Sequence, residues 1–198
     1  MNNEAHYIYL NWNISVAPLL KIEFLKANKC ATTETISHIF FNSSLRVCQH
    51  RLKKLVDVGE IKAFRENILT QNIYYTKRKP TSYKHALKVT QFIAELYKND
   101  IEILKSKVPY SIGNIIADGL FVVRVNGEVK ILFLEVELQK YFNLDKYNEL
   151  YYSRVWREVF PVFPSIVVIS DKRVNTDKKF NIVKIDTEFK NIDNLNRS

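Results

Sequence analysis

Asp118, Glu135 and Glu137 are the residues of this chain whose types and spacing suit chemistry on a phosphodiester. They stand in two strand-like runs, 115–125 and 128–138, separated only by Asn126-Gly127, the dipeptide of a two-residue hairpin. Antiparallel pairing would bring Asp118 and Glu135 together, and Glu135 and Glu137 share a face because strand side chains repeat every two residues. Three carboxylates so placed can hold a divalent cation and position a water for attack on phosphorus. Asp118 and Glu135 are the expected metal ligands, and magnesium is the cofactor expected if the site hydrolyses.

A second set of residues suits binding rather than catalysis. From Ser43 onward the chain reads SSLRVCQHRLKKLVDVG, and at 100° per residue Leu45, Cys48, Leu52, Leu55 and Val56 form one apolar stripe. The opposite face carries Ser43, Arg46, His50, Lys53 and Lys54, with no acid before Asp57. Arg46 and His50 have donors suited to the acceptors on purine edges, whereas Lys53, Lys54, Lys62 and Arg65 suit phosphates.

The elements around that helix are readable. Residues 14–27 are apolar enough for a mostly buried helix, through Val16, Leu19, Leu20, Ile22 and Phe24, with Pro18 in its first turn. Thr32-Thr33 offers an N-cap for a short second helix burying Ile36, Ile39 and Phe40. The cationic helix runs over 44–58, and Gly59 stops it. Residues 61–64 and 73–76 are then two short strands joined by a polar loop. Three helices followed by a hairpin is the order in which a winged helix lays one helix in a major groove.

The basic, proline-containing stretch 76–82 marks the expected boundary between domains 1–80 and 81–198. Beyond it, 85–97 reads as a helix in which His85 is expected to be a hydrogen-bonded core histidine. Strands follow at 101–108, 115–125 and 128–138, then a helix at 143–159 and strands at 165–170 and 182–185. The order is αβββαβ with an extra strand. The fold class expected is α+β, a winged helix-turn-helix followed by a restriction-endonuclease-like domain.

Composition narrows the partner. Thirty Lys and Arg against 21 Asp and Glu give a net charge of +9, and within 1–80 the bases outnumber the acids two to one. An anionic partner, above all double-stranded DNA, is expected. The two cysteines, Cys30 and Cys48, form no disulfide pattern, and the chain shows neither a secretory leader nor a bilayer-spanning run, so a cytoplasmic protein with no membrane partner is expected. Cys30, His38, Cys48 and His50 do not make a zinc site, because Cys48 and His50 point about 200° apart on one helix.

Two resemblances add to this reading. The stretch SSLRVCQHRLKKLVDVGEIKAF resembles the recognition helix and wing entry of winged-helix proteins. Ala117-Asp118-Gly119 and Leu134-Glu135-Val136-Glu137, in the second and third strands, resemble the PD-(D/E)xK nuclease core, although Ala117 replaces its proline and Glu137 its lysine. That lysine stabilises charge in the transition state and helps activate the water, so Lys140 or Lys146 would have to reach in from the following turn or helix.

Taken whole, the winged helix, the helix opening His85-Ala86-Leu87-Lys88-Val89 and the two acidic strands resemble the replication-relaxation family of plasmids and related mobile elements of Gram-positive bacteria. The resemblance implies a sequence-specific DNA-binding protein of replication, DNA relaxation or transcriptional control, with a nuclease-like domain expected to be inactive. The alternative is a metal-dependent endonuclease targeted by its winged helix. A third reading makes the second domain a dimerisation or docking module, with Tyr141, Phe142, Tyr147, Tyr151, Tyr152 and Trp156 as contacts. A second copy of the chain or other replication and relaxation proteins are further expected partners.

Overall fold

The computed structural model describes residues 17–196, so the first predicted helix is seen only from Ala17 onward and Val16 lies outside the described residues. The chain is a mixed α+β protein. Its N-terminal elements run α1 (Ala17–Asn28), β1 (Cys30–Thr32), α2 (Thr33–Phe40), α3 (Leu45–Asp57), β2 (Lys62–Phe64) and β3 (Ile73–Tyr75). β3 pairs antiparallel with both β1 and β2, and so holds the centre of a three-stranded sheet. Strand β1 was not legible as one, because three residues, Cys-Ala-Thr, carry no period.

Local chemistry sets these boundaries. The Thr32 hydroxyl accepts from the Thr35 amide and caps α2. Asn42 and Ser43 adopt positive φ and turn the chain into α3, and Gly59, at φ +80°, ends the segment that follows it. Ile22, Leu25, Ile36, Cys48, Leu52, Ile61 and Tyr74 form the local core. Two residues expected inside are not. Leu19 is 59% and Leu45 48% exposed, because each lies at a helix start beyond the reach of that core.

The C-terminal elements are α4 (Tyr83–Lys98), β4 (Glu102–Lys107), β5 (Tyr110–Ile112), β6 (Ile115–Ala117), β7 (Gly119–Val125), β8 (Glu128–Val136), α5 (Asp145–Ser153), β9 (Ser165–Ile169) and β10 (Ile182–Ile185). Five of the strands form a mixed sheet in the order β10-β9-β8-β7-β4, parallel from β8 to β10 and antiparallel elsewhere. The run expected as one strand over 115–125 is broken at Asp118: β6 pairs with β5 and only β7 joins the large sheet. The helix expected over 143–159 also stops early. Arg154 takes a left-handed φ of 61° after α5, and a 3-10 turn, Val155–Glu158, follows.

The sheet is covered on both faces. Phe92, Ile93 and Leu96 of α4 pack with Leu132, Leu134 and Val136 of β8 on one side. Tyr147 and Leu150 of α5 pack with Phe133, Ile166 and Val168 on the other. Alternation along β8 therefore sends Glu135 to the α5 face, amid residues that favour a neutral side chain.

Helix α4 also packs on the N-terminal unit, with Ala86 against Cys30 and Ile73. The Tyr83 ring stands edge-on to Phe64 of β2, centroids 5.3 Å apart, and its hydroxyl donates to Glu66 in the hairpin loop. One helix thus touches both the hairpin and the large sheet.

Candidate nucleic-acid interface and acidic site

Cys48 and Leu52 anchor α3 in the core, and its outer face is solvent-exposed at Arg46, His50, Lys53 and Lys54. Ser43, also exposed, stands in the preceding turn, where its hydroxyl lies 2.7 Å from Nδ1 of His38. Lys62, on β2, and Arg65, just after it, are exposed as well. Arg65 donates from Nε to Oδ1 of Asn72 across the hairpin at 2.7 Å, which leaves its terminal guanidinium N–H groups available. Among the described residues none of these cations is in an ion pair.

The first turn of α3 has no side-chain cap and no acid, so its positive end is open to an anion. Between α3 and the hairpin lies an open cleft of about 370 Å³ lined in part by Gln49, Lys53, Arg65, Gln71 and Asn72. Gln49 was missed in the sequence, although helical spacing sets it one turn before Lys53 on the same flank.

The acidic residues meet at one end of the large sheet. Gly119 pairs with Leu134, so the register continued by one residue sets Asp118 opposite Glu135. Oδ2 of Asp118 accepts from the Val136 amide at 2.8 Å and from Nε2 of His85 at 2.7 Å. His85 is thus hydrogen-bonded as expected, but at the acidic site and with 38% of its side chain exposed, not in the core.

Glu135 is 4% exposed. Its Oε1 takes the Tyr147 hydroxyl and, at 2.8 Å, the ammonium of Lys146. Burial pushes the Glu135 carboxyl above the ordinary range, opposed by Lys146 and Tyr147 and reinforced by Asp118. Tyr147 is raised well above the tyrosine range, first by burial and then by Glu135. Glu137 is partly buried and also raised, by burial first, with Lys146 lowering it and Asp118 raising it. No hydrogen bond or ion pair reaches its carboxylate among the described residues.

Lys146 therefore does reach in from the following helix, as the second residue of α5. Lys140 acts on Glu137 only through its charge. The Tyr147 contact was hidden in the sequence, where that residue reads as one of several aromatics.

Protein partners already take up part of this donor set. One oxygen of Asp118 serves an imidazole and an amide, and one of Glu135 serves a phenol and an ammonium. Among the described residues no group of three or more His, Cys, Asp or Glu side chains is placed to hold a metal ion. Cys48 and Cys30 are buried, and burial pushes their thiols up to about 12 and about 11.

No protein-family model, curated protein or solved structure matches the chain. Among the described residues no helix is long and apolar enough to cross a membrane.

Proposed function

We propose that this protein binds double-stranded DNA, with α3 in the major groove and the β2–β3 hairpin alongside it. The observation that carries the reading is the exposed row Arg46, His50, Lys53 and Lys54, continued by Lys62 and Arg65, with no carboxylate among the described residues paired to any of them. On a solvated face kept for solubility, acids would be interspersed with these bases. The element order α1-β1-α2-α3-β2-β3 supports a winged helix-turn-helix, in which such a row faces base edges and phosphates. Arg46 and His50 read bases, and the lysines and Arg65 set affinity.

The C-terminal unit is read as a nuclease-like scaffold that does not hydrolyse DNA. Its acids hold protein partners: Asp118 ties α4 to β8, and Glu135 ties α5 to the sheet. A protein of this build suits an accessory or regulatory role in replication, relaxation or transcription of a mobile element.

Selection of duplexes from a random library by the purified protein tests the reading. A recovered consensus that Arg46→Ala blurs without abolishing binding supports it. Recovery of no enriched sequence, with no shift of any duplex at low salt, refutes it.

The presence of Lys146 beside Glu135 favours a second reading, a metal-dependent endonuclease, because that reading needs a cation within the acidic cluster to offset developing charge. Hydrolysis would then require a cation to bind through the remaining oxygens of Asp118 and Glu135. Nicking of plasmid DNA in magnesium that Asp118→Ala abolishes would establish this reading.

A further inference from the structure

The most exposed large apolar residues of the described chain are Ile68 and Leu69, 87% and 94% open to solvent, side by side at the tip of the β2–β3 hairpin. No apolar cluster of the described residues includes either of them. Surface leucines and isoleucines occur singly on most proteins, but an adjacent pair at the end of a projecting hairpin is a different object.

The tip is built to hold that pair in place. Oδ1 of Asn67 accepts from the amides of Leu69 and Thr70, at 2.9 and 3.1 Å. The Thr70 hydroxyl donates to the Asn67 carbonyl and accepts from the Asn67 amide, at 2.9 and 3.2 Å. These four bonds close a compact turn over Asn67–Thr70 and restrain its backbone before any partner arrives.

The surroundings identify the partner. Arg65 is joined to Asn72 at the base of the loop, and both line the cleft shared with Lys53 of α3. Glu66, the acid nearest the tip in the loop, is engaged by the Tyr83 hydroxyl. The hairpin that carries the apolar pair at its tip thus has cations at its foot, Arg65 and Lys53 in one cleft, a pattern complementary to a polyanion with an apolar interior.

We infer that Ile68 and Leu69 form a wedge that enters the minor groove of bound duplex DNA and partly unstacks a base step. This rests on the proposed DNA-binding function and adds a deformation of the DNA to it. Apolar side chains inserted between base steps kink a duplex by about 20–90°. Pyrimidine–purine steps such as TA open most easily, so the wedge would also select sequence at positions that make no hydrogen bond. Arg65, at the base of the same loop, would gain from the negative potential of a narrow minor groove.

The test uses the full chain and a selected duplex, with 2-aminopurine placed in turn at each step flanking the α3 site and with end-labelled dyes to read bending. Wild-type protein is expected to raise 2-aminopurine fluorescence at one step and to shorten the end-to-end distance. The double variant Ile68→Ser/Leu69→Ser is expected to lose both signals while still shifting the duplex. Leu69→Met, which keeps an apolar wedge, is expected to restore them. Binding by the wild type with unchanged fluorescence and length overturns the wedge and leaves DNA binding standing. Absence of binding by the wild type overturns both. A tip required instead for self-association, shown by a concentration-dependent mass lost in the serine variant with no change on DNA, also overturns it.

Discussion

The ammonium of Lys146 stands 2.8 Å from Oε1 of Glu135, and the two residues reach each other from different elements, α5 and β8. In the sequence Glu137 stands where the nuclease pattern it resembles has a lysine, with Lys140 and Lys146 as the cations that could reach in. Lys146, from the following helix, brings a cation to the cluster. It neutralises the most buried acid of the cluster, and the Tyr147 hydroxyl completes the cage.

That cage has a pH signature. Burial raises the Glu135 carboxyl, so ionising it costs more in the folded chain than in the unfolded one. Its contribution to stability is therefore highest below the ordinary glutamate range, about pH 4.3, and falls as pH rises through the higher folded value. Glu135→Gln keeps an acceptor for Tyr147 and has no such fall. The melting temperature of this variant minus that of the wild type should increase between pH 4 and pH 7. A difference independent of pH would contradict the assignment.

Asp118 is expected to act as a structural clamp. Asp118→Ala leaves the Val136 amide and the His85 imidazole without their acceptor, which should cost about 1–3 kcal/mol in urea unfolding. DNA affinity at a temperature where the variant is folded should change little, because the clamp lies outside α3 and the hairpin. A loss of binding as large as that caused by removing the α3 lysines would overturn the separation of the two sites.

The element plan was legible because its signals are local. The stripe Cys48, Leu52, Leu55 gave α3, Thr32 gave the start of α2, and Asn126-Gly127, both at positive φ, gave the hairpin between β7 and β8. The break at Asp118 was not legible, since apolar residues flank it on both sides and only pairing reveals that β6 belongs to a different sheet from β7. For the acidic site, the pairing of Asp118 with Glu135 followed from register. The partners His85 and Tyr147 depend on how α4 and α5 cross the sheet, which no spacing in the sequence encodes.

Neither thiol should react in the folded protein. Cys30 and Cys48 are buried, donate to the carbonyls of Tyr83 and Thr33, and hold their protons to about pH 11 and about pH 12. A chromogenic disulfide reagent at pH 8 is expected to label both cysteines in urea and neither in native buffer. Rapid native labelling of either would place it outside the core.

No efficient cleavage is expected from the purified protein on supercoiled or linear DNA with magnesium or manganese. One oxygen each of Asp118 and Glu135 is already engaged by protein partners, and Lys146 is held in an ion pair with Glu135 rather than free to stabilise charge developing on a phosphate. Plasmid nicking assays read this directly, and nicking that vanishes in Asp118→Ala would promote the endonuclease.

The salt dependence of DNA binding tests the central claim most directly. Anisotropy titrations of a labelled duplex at several salt concentrations should give a steep fall of log K with log salt for the wild type. The Lys53→Ala/Lys54→Ala variant should bind more weakly to every duplex, with a slope shallower by about 1 for each lysine removed. An unchanged affinity and slope in that variant would contradict the assignment of α3 as the DNA-binding helix.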